Sequence, residues 1–273
     1  MTVRCQLAVF GGGNMGGALV GGLVAKGWAP AESLHVIDLY EPTRLALEAR
    51  LPGLVVSAAP PTRAEAALIA VKPADVAGLG PTLRAMGVRR VLSVAAGVTT
   101  AAIEAAIGSD VAVVRSMPNT PALVGQGASA IAPGRWASSD DLDWACDILD
   151  AVGITVRVTE SQLDAVTGLT GSGPAYLLLV AESLIEAGVL MGLTRPVAIA
   201  LVNQLFVGSA ALLAGSDEDA GRLRANVTSP GGTTAAGLRE LERHGVRFSF
   251  LEAVRAATER SRQLGQPALG SNS

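Results

Sequence analysis

The stretch "VFGGGNMGGALV" (Val9–Val20) decides the fold. It joins an apolar run, "QLAVF" (6–10), to a helical pattern, "GGALVGGLVAKG" (16–27), that ends near Gly27. Between them lies G-x-G-x-x-G, formed by Gly11, Gly13 and Gly16. The first glycine allows a tight turn and the second lets the backbone approach a pyrophosphate. The third lets the helix pack closely on the strand, and the helix start faces the anion with its bare N–H groups. Gly12, Asn14 and Met15 fill the same turn and join the expected cofactor residues. In a chain with 32 glycines the pattern alone is weak. Its setting strengthens it: a first strand precedes it, a helix follows, and a second strand, "LHVID" (34–38), ends on Asp38. The competing reading is a glycine-rich turn with no ligand.

Outward from this turn, short apolar runs alternate with helical patterns. A helix is expected over 42–50, strands over 54–57, 66–71 and 90–96, and a helix over 99–108 capped by Thr99 or Thr100. Strand-like runs follow at 111–117 and 128–133, then a helix over 138–153 capped by Ser139 or Asp140, and a last strand at 154–159. Such alternation predicts a parallel α/β sheet, with the later, closely connected strands free to leave the parallel pattern. After Glu160 strands vanish and long helical segments take over. The expectation is a Rossmann-type α/β domain over 1–160 and an all-α domain over 161–273. The final "QPALGSNS" (266–273) reads as a loose tail.

Composition narrows the function classes. The chain has 273 residues and a formal net charge of -3 without a basic run, which argues against nucleic acid as a partner. Hydrophobic residues make up 49% but aromatics only 3%, so the core is built from Ala, Val and Leu. Cys5 and Cys146 are far apart, and His35 and His244 are the two histidines, so no metal-ligand spacing exists. The same cysteine usage fits a reducing cytoplasm, and the N-terminus reads as a strand rather than a signal peptide. "RPVAIALVNQLFVGSAALLAG" (195–215) approaches the length of a membrane span, but Asn203 and Gln204 sit at its centre. A helix buried in an oligomer is the preferred reading, with no membrane partner.

The expected ligand edge of such a sheet is the carboxyl end of its strands. Asp38 there suits a ribose diol and so NAD, whereas Arg44, six residues on, suits a 2′-phosphate; the alternatives are a helix-start acid and a surface arginine. "AVKP" places Ala70, Val71, Lys72 and Pro73 at a strand end, and Lys26 and Lys72 are the two lysines among 21 basic residues. "SVAAGVTT" (93–100) places Ala96 and Gly97 likewise, and "RSMPNTPALVGQG" (115–127) also belongs to the cleft. No Ser-His-Asp set is arguable. Hydride transfer needs none, because the cofactor carries the chemistry. One further stretch, "VTSPGGTTAAGL" (227–238), crowds hydroxyls, a proline and two glycines into a helical region.

Together "LAVFGGGNMGGAL", "AVKP", "RSMPNTP", "AVTGLTGSGPAYLLLVAESL" and "NVTSPGGTTAAGL" resemble pyrroline-5-carboxylate reductases, in the family's order and over nearly the whole chain. The resemblance implies reduction of 1-pyrroline-5-carboxylate to L-proline with NADPH or NADH, the last step of proline synthesis. It also implies a Rossmann domain followed by a helical dimerisation domain, in a homodimer that in this family often builds decamers. By resemblance Thr234 hydrogen-bonds the ring nitrogen and is the catalytic residue. Ser229, with the backbone of Gly231, Gly232 and Thr233, holds the substrate carboxylate. Glu160 matches a position near the substrate, and Asn226 one near the cofactor. The family often carries Asn after the third strand; here Ser57 and Ala58 stand there, so the choice between NADP and NAD stays open. Two alternatives remain at this point: another imine or hydroxyacid reductase of similar build, and a non-catalytic nucleotide-binding protein.

Overall fold

A computed structural model of the chain describes residues 5–108 and 110–265. The expected tail at 266–273 lies outside the described residues. Strands β1 (Leu7–Phe10), β2 (Leu34–Ile37), β3 (Val55–Ser57), β4 (Ala66–Ile69), β5 (Arg90–Ser93), β6 (Ala112–Met117), β7 (Gly127–Pro133) and β8 (Gly153–Arg157) form one sheet in the order β3-β2-β1-β4-β5-β6-β7-β8. All neighbours are parallel except β6 and β7, which run antiparallel, so the chain leaves the parallel pattern among its later strands as expected. The short connection from Met117 to Gly127 cannot hold the crossover that a parallel pairing requires.

The first-domain helices are α1 (Asn14–Ala25), α2 (Glu41–Arg50), α3 (Gly80–Met86), α4 (Thr100–Ile107) and α5 (Ser139–Leu149). β1 and β4 are buried along their whole length because helices cover both faces of the sheet. Alternate residues then serve opposite layers. Leu7, Val9, Leu34 and Val36 join Leu19 and Leu23 of α1 and Ile148 of α5. Ala8, Phe10 and Ile69 join Leu83 of α3 and Ile103 of α4. Thr99 caps α4 by accepting from Ala102 N at 3.2 Å. The cap of α5 is Ser138, one residue before the expected Ser139 or Asp140, because Ser138 and Asp141 form a reciprocal capping box.

Beyond β8 come α6 (Leu163–Val166), a single π turn (Thr167–Gly171), α7 (Gly173–Leu190), α8 (Arg195–Ala214), α9 (Ala220–Asn226), α10 (Thr233–Arg243) and α11 (Val246–Gly265). The described residues of Met1–Ser172 and Arg255–Ser273 form one compact unit, and Gly173–Val254 forms another. The short α6 therefore packs with the sheet, Leu163 against Ala130 and Ala132. The end of α11 also belongs to this first unit, where Ser261 Oγ donates to Asp164 Oδ1 at 2.7 Å. In the second unit α7 packs on α8. The spans Glu160–Leu190 and Arg195–Ala214 are long and apolar enough to cross a membrane, by length and composition only.

Candidate active site

The strand order reverses between β1 and β4, and a crevice opens at their carboxyl ends, where open α/β sheets bind ligands. Gly11 leaves β1 with φ +99°, and a Cβ there would lie 2.6 Å from the Ala70 carbonyl oxygen. A Cβ on Gly16 would collide with the carbonyl oxygen of Gly11. Both positions accept glycine alone. Around Gly13, by contrast, nothing lies within 4 Å of a built Cβ, so the space in front of α1 is open. Gly13 is the N-cap of α1 and brings no side-chain acceptor, so the first-turn amides of Asn14, Met15 and Gly16 remain available. A pyrophosphate fits this cradle: its charge meets aligned N–H donors, and no side chain stands in its way.

The remaining expected cofactor residues lie along the same edge. Asp38 accepts from Gly12 N through Oδ2 and from Tyr40 N through Oδ1, both at 2.8 Å. Arg44 donates to the carbonyls of Asp38 and Leu39 at 2.9 and 3.0 Å. The Ser57 hydroxyl donates to Ala59 O and meets His35 Nε2 at 2.8 Å. Ala70 backs Gly11, Val71 follows it, and Lys72 is the exposed N-cap of a short 3₁₀ helix, Pro73–Asp75. Pro73, Ala96 and Gly97 line a cavity of about 320 Å³ with Thr167 and Ser172 from the π-turn region and with Arg260, Ser261 and Leu264 from α11.

Glu160 is held by two neighbouring elements of the first unit. One carboxylate oxygen accepts from Thr100 N at 2.7 Å and from Arg115 at 3.3 Å, and the other from the Thr100 hydroxyl at 2.8 Å. Arg115 is buried on β6, so Glu160 neutralises an enclosed cation and caps the start of α4 together. Asn119 is equally committed, donating to Thr170 O at 3.1 Å and accepting from Ala128 N at 2.9 Å. The sequence points to Thr100 as a candidate cap of α4 but to neither Arg260 nor Ser261. The available signal for the ion pair of Arg115 and Glu160 is the lone charge of Arg115 inside the apolar run "VAVVRSM", which calls for a buried partner.

In the second unit the turn after α9 builds a small cradle. Gly231 has φ +72°, and Gly232 is the N-cap of α10 without a side-chain cap bond. A Cβ on Gly232 would collide with Ser229 Oγ, so the hydroxyl sits directly against the turn. The Gly232 N–H already donates to Ser229 O at 3.0 Å, which removes it as a carboxylate donor. The amides with no intrahelical acceptor are those of Thr233, Thr234 and Ala235 in the first turn. Ser229 and Thr234 are exposed. Asn226, the last residue of α9, donates to Glu218 Oε2 at 2.8 Å.

A dinucleotide cradle at the switch point of a largely parallel sheet, followed in the chain by a helical unit, is the build of an oxidoreductase that works with a nicotinamide dinucleotide. Known proteins narrow this further. Residues 160–264 match the family model described as pyrroline-5-carboxylate reductase dimerisation, and residues 6–97 match that of coenzyme F420-dependent NADP oxidoreductases. The chain is 42% identical to a pyrroline-5-carboxylate reductase of Mycobacterium tuberculosis, covering 95% of this chain and 96% of that one. It is 39% identical to that of Corynebacterium melassecola over 95% and 98%. Among solved structures, a pyrroline-5-carboxylate reductase from Coxiella burnetii superposes with a TM-score of 0.90 at 32% identity, covering 97% and 100% of the two chains. The Plasmodium falciparum enzyme, solved with NADP bound, gives 0.82 at 30%, again over 97% and 100%. The chain belongs to the pyrroline-5-carboxylate reductase family.

Proposed function

We propose that this chain reduces the C=N bond of 1-pyrroline-5-carboxylate to give L-proline, the last step of proline biosynthesis. A bound reduced nicotinamide dinucleotide supplies the hydride. The observation that carries the reading is the turn before α10, where free helix-start amides and the Ser229 hydroxyl converge on one exposed spot. The Thr233 and Thr234 amides and Ser229 Oγ hold the substrate carboxylate, with Gly231 shaping the turn and Gly232 keeping it open. The Thr234 hydroxyl hydrogen-bonds the ring nitrogen and orients the imine. Gly11 to Gly16 hold the pyrophosphate, and Ala70 to Pro73 with Ala96 and Gly97 line the rest of the cofactor edge. Glu160 acts by positioning Thr100 and Arg115.

The functional division of the chain falls at residue 160, with the helical half forming a homodimer and decamers as the next level of assembly. Free Cys5 and Cys146 support a cytoplasmic setting. The test is direct. Purified protein consumes NADH or NADPH when 1-pyrroline-5-carboxylate is present and not when it is omitted. No turnover with either cofactor overturns the proposal.

A further inference from the structure

We infer that Asp38 makes this chain selective for NADH over NADPH. The inference rests on the reductase reading only for its kinetic test. Its basis is how the carboxylate is held. Oδ2 accepts from Gly12 N, inside the glycine-rich turn, and Oδ1 accepts from Tyr40 N, two residues on; both bonds are 2.8 Å. The second closes an Asx turn, so the side chain is locked in one orientation at the end of β2, directly beside the pyrophosphate cradle. An ionised carboxylate offers about four lone-pair sites. Two are used, and two remain open, the number a vicinal ribose diol fills with its two hydroxyls.

A 2′-phosphate at the same place meets no compensation. It carries close to two negative charges and requires cations or free donors. Among the described residues no Lys, Arg or His forms an ion pair with Asp38. The next residues along the edge are Leu39, Tyr40 and Glu41, of which the first is 85% exposed and the last adds a second acid. Arg44, the nearest cation in sequence, spends one nitrogen on the backbone carbonyls of Asp38 and Leu39. The Ser57 hydroxyl on neighbouring β3 gives its single proton to Ala59 O. The Asp38 carboxylate therefore stands as an acceptor where a phosphomonoester needs donors.

The experiment compares fragments on the full chain, so that it does not depend on turnover. Calorimetric titration with ADP-ribose and with 2′-phospho-ADP-ribose is expected to give at least ~10-fold tighter binding of the first, the scale on which like charges exclude a ligand. kcat/KM for NADH over NADPH follows the same order. Asp38→Ser removes the negative charge that would oppose a phosphate and brings both ratios to unity or below. Asp38→Asn keeps the side chain's shape and removes its charge; it relieves the exclusion of the phosphate in part. Circular dichroism checks that both variants are folded. Equal or tighter binding of the phosphorylated fragment by the unaltered chain overturns the inference. So does an unchanged ratio in a folded Asp38→Ser variant. Fragment discrimination without reduction of 1-pyrroline-5-carboxylate leaves the inference standing and overturns the reductase reading instead.

Discussion

Ser57 has one hydroxyl proton and gives it to Ala59 O, which leaves His35 Nε2 as the donor in the bond between them. His35 therefore carries a proton on Nε2, and its partial burial lowers its pKa below the ordinary 6.5, which favours the neutral ring. The unfolded chain takes up this proton first. The stability the neutral ring contributes is complete above about pH 6.5 and is lost as pH falls from there toward the lowered pKa. The melting temperature should drop between about pH 7 and pH 5, and His35→Asn should flatten part of that slope. An identical slope in the variant would remove His35 as a source. At the other end of the chain, Thr234→Ala should lower kcat/KM roughly 10²-fold, the effect of losing one transition-state hydrogen bond of ~2.7 kcal/mol. An unchanged rate would take Thr234 out of the mechanism. At this scale the glycines were legible in the sequence because their roles are steric and local. The commitments of Ser57 and of the Gly232 amide were not, because each depends on an acceptor that only the folded turn supplies.

Elements reveal what single residues do not. Periodicity located β1 through β8 and the helices α1, α2, α4 and α5, since alternation of short apolar runs with 3.6-residue patterns has few other solutions. It did not locate α3, nor α9, whose seven residues include a single large apolar side chain, Leu223, nor the π turn Thr167–Gly171. Nor could it show that α11 divides between two compact units, a matter of long-range contact. Glu160 is the element-scale counterpart: it joins the chain after β8 to β6 through Arg115 and to the start of α4 through Thr100. The Arg115 side chain is 7% exposed and that of Glu160 30%. Glu160→Ala leaves the arginine enclosed without its anion, which should destabilise the fold by about 3 kcal/mol. For a unit of this size, that loss lowers the melting temperature by roughly 6–12 °C. Glu160→Gln keeps an acceptor for Thr100 and should lose less. If Glu160→Ala melts within a degree of the parent, the tie is ornamental.

The whole molecule poses a problem of surface. Across Gly173–Val254 the buried hydrophobic residues are Ala198 and Val202, while Leu178, Leu179, Val207 and Leu212 on α7 and α8 are each more than 60% exposed. So little burial does not offset the conformational entropy of ordering these helices, so this unit requires a further surface to cover it. Length and apolarity alone would allow a lipid bilayer, yet Asn203 and Gln204 lie at the middle of α8, where hydrocarbon would leave their amides unpaired. A second copy of the chain can meet apolar and amide groups alike, and residues 160–264 match a dimerisation model. Folding is then coupled to association, and stability depends on protein concentration by mass action. The unfolding midpoint should rise as the protein is concentrated, and sedimentation without detergent should give at least twice the chain's mass. Leu178→Arg, which sets a charge on the exposed apolar surface of α7, should shift the distribution toward monomer and remove much of that concentration dependence. A detergent requirement for the parent protein would favour the bilayer. A midpoint independent of concentration, with Leu178→Arg indistinguishable from the parent, would show that these faces are covered some other way.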